Sequence, residues 1–136
     1  MSKAVYDSYG DKKLIPKRAT KGSAGWDFVA PISIKLEPGQ ELFVNTGISF
    51  HLPEGVFMMI VPRSSLGMKG LALANTVGVI DSDYQDDIKL MLVNRGKETI
   101  VINRYERFVQ GILVQFFGVD DGVEEERQGG FGSTGK

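Results

Sequence analysis

Hydrophobic and polar positions alternate along this chain in short stretches, a pattern typical of β-strands. Residues 32–36 alternate apolar and polar side chains, which is the period of a strand with one buried face. Residues 56–61 form a nearly continuous apolar run, short enough for a strand buried on both faces. The same reading predicts further strands at residues 41–52, 71–74, 76–80, 88–93, 99–102 and 108–117.

Turn-forming residues separate these stretches at residues 37–40, 53–55 and 94–97, and Gly47 predicts a bulge or bend inside the second strand. No long stretch has the helical period of 3.6 residues. Residues 64–69 alone suit a short helix, with Ser64 as its N-cap. We therefore predict an all-β fold, a jelly-roll-like or sandwich-like barrel with one short helix.

The length of 136 residues fits a single domain. We place the β-barrel at residues 1–117 and a flexible C-terminal arm at residues 118–136. The arm is acidic and then rich in glycine, and it has too few apolar side chains to pack alone. We expect it to become ordered on a ligand or on a neighbouring subunit.

The net charge and the residue types present argue against several classes of function. The net charge of −1 gives no general attraction for DNA or RNA, so no nucleic-acid partner is expected. The absence of cysteine excludes disulfides, thiolate metal sites and a cysteine nucleophile. No apolar run is long enough to span a membrane and the first residues do not form a signal peptide, so we expect a cytoplasmic protein with no membrane partner.

Five polar or glycine-containing segments interrupt the apolar strands, and these are the candidates for chemistry. In chain order they read AGWDF at 24–28, PRSSL at 62–66, GVIDSDY at 78–84, RFVQ at 107–110 and GGFGSTG at 129–135.

Asp81 ends the apolar run of residues 77–80, so its carboxylate emerges where a buried strand ends. A carboxylate at such an edge can act as a general base. It can equally be an aspartate that caps a turn, and Asp83 two residues later suits that interpretation. Tyr84 offers a flat ring beside the same turn, either for packing or as a platform for a sugar or a base.

Two segments have groups suited to binding phosphate. Residues 63–65 offer a guanidinium, two hydroxyls and the N–H groups of a helix start, although an ordinary helix cap would look the same. The glycine-rich end offers consecutive backbone N–H groups, with Phe131 able to stack on a base, although a flexible tail has the same composition. Residues 130–136 also match the start of a phosphate-binding P-loop, but the strand and helix that a P-loop needs are missing.

Taken together and in this order, the five segments resemble the five motifs of the trimeric dUTPase family over residues 24–135. The resemblance implies a distorted jelly-roll-like β-barrel of the dUTPase-like (β-clip) kind. It also implies a homotrimer with shared active sites, in which the arm of one subunit closes over the site of another. The activity implied is hydrolysis of dUTP to dUMP and pyrophosphate with Mg²⁺ as cofactor, which keeps uracil out of DNA and supplies dUMP for thymidylate synthesis.

The resemblance also implies a role for each matching residue. Asp81 would activate the water that attacks the α-phosphorus, and Tyr84 would exclude a 2′-hydroxyl by pressing on the deoxyribose. Asp27 would hold the waters of the metal ion. The other substrate contacts implied are Asn75, Val79, Ile80 and Lys89 for uracil, Arg63, Ser64, Ser65, Gln110 and Arg127 for the phosphates, Phe131 for stacking on uracil, and Gly132, Ser133 and Thr134 for the γ-phosphate.

The chain departs from the family pattern in places. Asp86 replaces a glycine, Ser65 stands where glycine is frequent, Gly111 follows the fourth motif where an apolar residue is common, and Arg127 lies one residue closer than usual to the glycine pair. Because of the last change, the arginine that binds the γ-phosphate is either Arg127 or another arginine. The alternative functions are a dCTP deaminase-like enzyme on the same scaffold and a non-catalytic regulatory protein that senses dUTP.

Overall fold

The computed structural model describes residues 4–118, 122–127 and 129–130. Within them the chain is mostly β-strand, with one short α-helix, α1 (Ser64–Gly67), and a 3₁₀ helix at Lys12–Leu14. This confirms the all-β prediction. The strands are β1 (Val5–Asp7), β2 (Gly25–Val29), β3 (Ile34–Leu36), β4 (Glu41–Asn45), β5 (Ile48–Phe50), β6 (Val56–Pro62), β7 (Leu71–Leu73), β8 (Gly78–Ile80), β9 (Lys89–Asn94), β10 (Ile100–Ile102) and β11 (Arg107–Gln115).

The strands of the described residues lie in four sheets rather than in one closed barrel. The largest has the order β2-β11-β6-β8, and a second has the order β4-β9-β7. Two strand pairs, β1-β5 and β10-β3, complete the set, and every pairing is antiparallel. The four-stranded sheet matters most for the site, because its two edge strands carry two of the five motifs.

Burial in the core explains why the residues of β6 form a nearly continuous apolar run. This strand lies between β11 and β8, and Met58 and Ile60 are completely buried. Phe28 on β2 and Phe108 on β11 are buried in the same core. Each such side chain contributes about 1.5–3 kcal/mol to stability by leaving water.

The segment predicted as one strand over residues 41–52 is two strands in different sheets. Gly47 lies between them with a φ of +71°, which L side chains rarely adopt, so the predicted bend at Gly47 is confirmed. The buried hydroxyl of Thr46 donates to the carbonyl of Ile88 over 2.7 Å at the same point. The chain therefore leaves the β4 sheet here and continues as the partner of β1.

The helix is shorter than predicted, and the assignment of Ser64 as its N-cap is wrong. The N-cap position is taken by Arg63, which has extended backbone angles and makes no side-chain cap hydrogen bond. The cause is the sheet, since the Arg63 N–H donates to the Phe108 carbonyl and extends the strand geometry one residue past Pro62. Ser64 is therefore the first helical residue.

The GVIDSDY motif does not form a two-stranded hairpin with the strand that follows it. β8 hydrogen-bonds to β6, whereas β9 pairs with β4 and β7, so the two strands lie in different sheets. Residues 81–88 are a loop that joins these sheets, and we call them the 81–88 loop. No helix among the described residues is long and apolar enough to cross a membrane.

Candidate active site

A cavity of about 330 Å³ lies between β8, the end of β7 and the start of β9. Its size falls within the range of small-molecule sites. Seven residues predicted from the sequence line it: Asn75, Val79, Ile80, Asp81, Tyr84, Lys89 and Arg127. Apolar and small residues without a predicted role complete the wall: Ala74, Gly78, Leu90 and Met91.

Asp81 lies at the mouth of this cavity, directly after β8. β8 is an edge strand held by β6 through the pairs Met58–Ile80 and Ile60–Gly78, so the emerging side chain reaches solvent. The Asp81 side chain is 53% exposed, and its backbone carbonyl accepts a hydrogen bond from the Tyr84 N–H over 3.1 Å. Asp81 is therefore a turn residue through its backbone, while its carboxylate projects from the turn and makes side-chain contacts of its own.

Arg127 of the C-terminal arm reaches into the same place. Its guanidinium donates to Oδ2 of Asp81 over 2.8 Å, lies 3.5 Å from Oδ1 of Asp83, and stands 5.2 Å from the ring centre of Tyr84. It also donates to the carbonyls of Gly129 and Gly130 over 2.8 and 3.3 Å. The Arg127 side chain is only 8% exposed. Because both aspartates are more than half exposed, these ion pairs contribute at most about 1 kcal/mol to stability.

Tyr84 is fixed in orientation. It packs against the core, and its hydroxyl donates to the Asp87 carbonyl over 2.8 Å. The ring is therefore a rigid wall of the cavity, which is what a platform that discriminates between sugars requires.

Lys89 closes the other side of the cavity through an ion pair. Its Nζ donates to Oδ2 of Asp86 over 2.7 Å, and only 21% of the Lys89 side chain is exposed. The hydrogen bond from Lys89 lowers the pKa of Asp86 below its ordinary value, and the same bond raises the pKa of Lys89. Both groups are consequently charged across the neutral pH range.

A second group of predicted residues lies elsewhere, across β2, β11 and β6. Gln110 pairs with Asp27 on one side and with Val61 on the other, which places their side chains on one face of the sheet. Arg107 lies 3.7 Å from Oδ2 of Asp27, and Arg63 follows at the end of β6. We call Asp27, Arg63, Arg107 and Gln110 the basic cluster. Ser64 and Ser65 follow it, exposed on α1.

The two groups lie at opposite ends of β6. Asp81 follows Ile80, which pairs with Met58, so in this antiparallel register Asp81 comes level with Phe57, six residues before Arg63. At about 3.3 Å per strand residue, the separation between Asp81 and Arg63 is roughly 20 Å. One chain therefore gathers the residues predicted to contact uracil and water in one place and those predicted to contact phosphate in another, but it does not bring these two groups to each other.

The sequence missed Asp83, Gln85 and Asp86 as site residues. Their contacts with the arm depend on where the arm lies, which no local pattern records. Arg107 was noticed only as part of a motif, and its pairing with Asp27 follows from strand register. Phe131, Gly132, Ser133 and Thr134 lie outside the described residues.

The arrangement of the carboxylate and histidine side chains decides whether the chain itself could hold a metal ion. Among residues 4–118, 122–127 and 129–130, no three histidine, aspartate or glutamate side chains cluster in a way that could hold one. Asp27 instead is a single carboxylate that lies 3.7 Å from the guanidinium of Arg107. Such a set fits Mg²⁺ that is held chiefly by substrate phosphates and keeps its waters.

Comparison with known proteins points to one family. The dUTPase family model matches residues 11–135. A deoxyuridine 5′-triphosphate nucleotidohydrolase of Baumannia cicadellinicola subsp. Homalodisca coagulata is 43% identical, covering 93% of this chain and 91% of the relative. The protein of that name from Burkholderia ambifaria (strain MC40-6) is 45% identical, covering 92% and 91%.

A solved structure agrees with these relatives. The crystal structure of dUTPase from Streptococcus mutans superposes with a TM-score of 0.77 at 32% identity, and the match covers 87% of this chain and 99% of that one. The jelly-roll-like β fold predicted from the sequence is thereby confirmed.

Proposed function

The chain belongs to the dUTPase family and hydrolyses dUTP, and we propose that it does so by Mg²⁺-assisted attack of water on the α-phosphorus. The observation that supports this most strongly is the cavity beside β8, where seven predicted residues meet. In this proposal the enzyme keeps uracil out of DNA and supplies dUMP for thymidylate synthesis.

Uracil and deoxyribose occupy the cavity beside β8. Asn75 and the backbone at Val79, Ile80 and Lys89 read the edge of the base. A site of fixed hydrogen-bonding groups rejects cytosine through its exocyclic amine and thymine through its methyl group. Tyr84, held by the core and by Asp87, leaves no space for a 2′-hydroxyl.

Asp81 takes a proton from water as the water oxygen bonds to the α-phosphorus. The bond between that phosphorus and the α,β-bridging oxygen breaks, so dUMP and pyrophosphate form and the proton stays on the carboxyl. The half-exposed carboxylate at the cavity mouth is accessible to the water that this step requires. Arg127, the partner of Asp81 in this structure, is one candidate for binding the phosphates as dUTP enters.

The basic cluster binds the triphosphate. Arg63 and Gln110 face the phosphates, with Ser64 near the α,β-bridging oxygen and Ser65 beside it. When bound, Mg²⁺ would neutralise phosphate charge, and Asp27 would hold one of its waters. Arg107 keeps Asp27 oriented through their contact of 3.7 Å.

A homotrimer with shared sites accounts for the separation of the two groups. The distance of roughly 20 Å along β6 exceeds the reach between a nucleotide's sugar and its phosphates, so a second copy has to supply the basic cluster. That the arm of one subunit closes over the active site of another stays a prediction.

The activity is tested by measuring pyrophosphate release from dUTP, with and without Mg²⁺, beside dCTP, dTTP and UTP. The expected result is Mg²⁺-stimulated release from dUTP alone. Ammonia released from dCTP would indicate the deaminase alternative. Tight binding of dUTP without turnover would indicate the regulatory one.

A further inference from the structure

Asp86, in the 81–88 loop, is held rigidly although it lies at the protein surface. Its Oδ2 accepts the hydrogen bond from Lys89 over 2.7 Å, and its Oδ1 accepts one from the Asp87 N–H over 2.8 Å. Both oxygens are thus engaged, so the side chain is fixed in one orientation. Through Lys89, Asp86 is also tied to the wall of the cavity.

Gly130 of the arm lies directly against this side chain. A Cβ added at Gly130 would lie 2.2 Å from the Cβ of Asp86 and 3.0 Å from its Cγ and Oδ2. The backbone of Gly130 does not have a positive φ, so any residue could adopt its conformation. In this chain the contact with Asp86 therefore leaves no space for a side chain at position 130.

The neighbouring residues hold the arm along the same loop. Nε2 of Gln85 donates to the Arg127 carbonyl over 3.3 Å, and the Arg127 guanidinium contacts Asp81 and Asp83 at the other end of the loop. Arg127 and Gly130 consequently contact the 81–88 loop at its two ends, at Asp81 and at Asp86. Asp86 is the contact that limits how closely the arm approaches.

We propose that Asp86 is a positioning residue that seats the C-terminal arm on the 81–88 loop and thereby sets its place over the active site. This rests on the proposed function, because the consequence concerns dUTP turnover. Asp86 touches neither substrate nor water in this scheme. It acts through Gly130, and its orientation is kept by Lys89.

The test is a double-mutant cycle in the full chain with Gly130→Ala, Asp86→Gly and both together. In the wild-type background the new Cβ collides with Asp86, so Gly130→Ala is expected to lower kcat/KM for dUTP about tenfold, as coupled contacts commonly do. With Asp86→Gly the space is open, and the same change should cost little. Gly118→Ala, where nothing lies within 4 Å of an added Cβ, is the matched control.

Two further readouts separate seating from general damage. Trypsin cleavage after Arg127 should be faster in Asp86→Gly than in the wild type, because the arm is less firmly held. Binding of dUMP, which fills only the cavity, should be unchanged in Asp86→Gly, while kcat/KM for dUTP falls.

An equal effect of Gly130→Ala in both backgrounds would overturn the proposal. So would a loss of dUMP binding as large as the loss of kcat/KM, since Asp86 would then act on the cavity through Lys89. A wild-type protein without dUTP hydrolysis would refute the proposed function instead, and the trypsin comparison would still decide whether Asp86 seats the arm.

Discussion

The guanidinium of Arg127 donates a hydrogen bond to Oδ2 of Asp81 over 2.8 Å and stands over the ring of Tyr84. It therefore neutralises the proposed base and covers the ring face proposed for the deoxyribose. Substrate has to displace this contact before Asp81 can accept a proton. Phosphate oxygens offer the displaced guanidinium a partner at least as strong as a carboxylate.

Arg127→Ala is expected to lower kcat/KM for dUTP by about 10- to 100-fold, the size of a lost hydrogen bond to a charged group. Arg127→Lys should recover only part of this, because an ammonium lacks the planar fork that contacts several acceptors at once. Steady-state kinetics measure both. The matched control is Arg95→Ala, an exposed arginine outside the cavity and the basic cluster. A wild-type kcat/KM in Arg127→Ala would show that Arg127 contacts Asp81 and Tyr84 without contributing to dUTP turnover.

Asp81→Asn should leave folding and nucleotide binding nearly intact while kcat falls about 10²–10⁴-fold, the contribution of a general base. Calorimetric binding of a non-hydrolysable dUTP analogue and pyrophosphate release separate the two effects. Asp83→Asn removes the same charge from a neighbouring residue that is equally exposed and is only 3.5 Å from Arg127. Its turnover should stay near wild type, and an equal loss in both variants would contradict the assignment of the base.

Stability should depend on pH through Asp11 and Tyr105. The Tyr105 hydroxyl donates to Oδ2 of Asp11 over 2.7 Å, which lowers the pKa of Asp11 and raises the pKa of Tyr105. The Asp11 contribution is present above its ordinary pKa of 3.8 and is lost as pH falls through the lowered value. The Tyr105 contribution is present below its ordinary pKa of 10.0 and is lost as pH rises through the raised value.

Thermal unfolding of wild type and Tyr105→Phe across pH checks this pair. The difference in Tm should be largest near neutral pH and should shrink at both extremes. Tyr9→Phe is the control, because the Tyr9 hydroxyl donates to the backbone carbonyl of Asn45, which does not titrate in acid. A Tm difference for Tyr105→Phe that stays constant down to strongly acidic pH would refute the account.

Strand positions were predictable wherever burial left a local pattern. The apolar run of β6 and the alternation in β3 predicted strands because neighbouring strands and the core cover those side chains. β2 was missed because Gly25 and Asp27 interrupt its apolar pattern, and it is a strand through its pairing with β11. The split between β4 and β5 was signalled by Gly47, although the change of sheet was not.

The site could be predicted as a set of residues but not as a geometry. Motif order identified Asp81, Tyr84 and Gln110, yet their distribution between two ends of β6 depends on strand register. Contacts of Asp86 with Lys89 and Gly130 join distant parts of the chain, so no local pattern contains them. Ser64 looked like a cap because its residue type favours one, but the hydrogen bond of Arg63 to β11 moved the helix start.

Mixed oligomers test most directly the proposal that one active site is assembled from two copies of the chain. Asp81→Asn and Arg63→Ala proteins, each nearly inactive, are unfolded together, refolded at equal amounts and assayed for pyrophosphate release from dUTP. Random assembly should restore about a quarter of wild-type activity, because one site in four then combines an intact Asp81 with an intact Arg63 from a neighbour. The control mixture of Asp81→Asn with Asn75→Ala, both in one cavity, should show only the mean of its parents. A mixture of Asp81→Asn and Arg63→Ala that also shows only the mean of its parents would contradict the shared site.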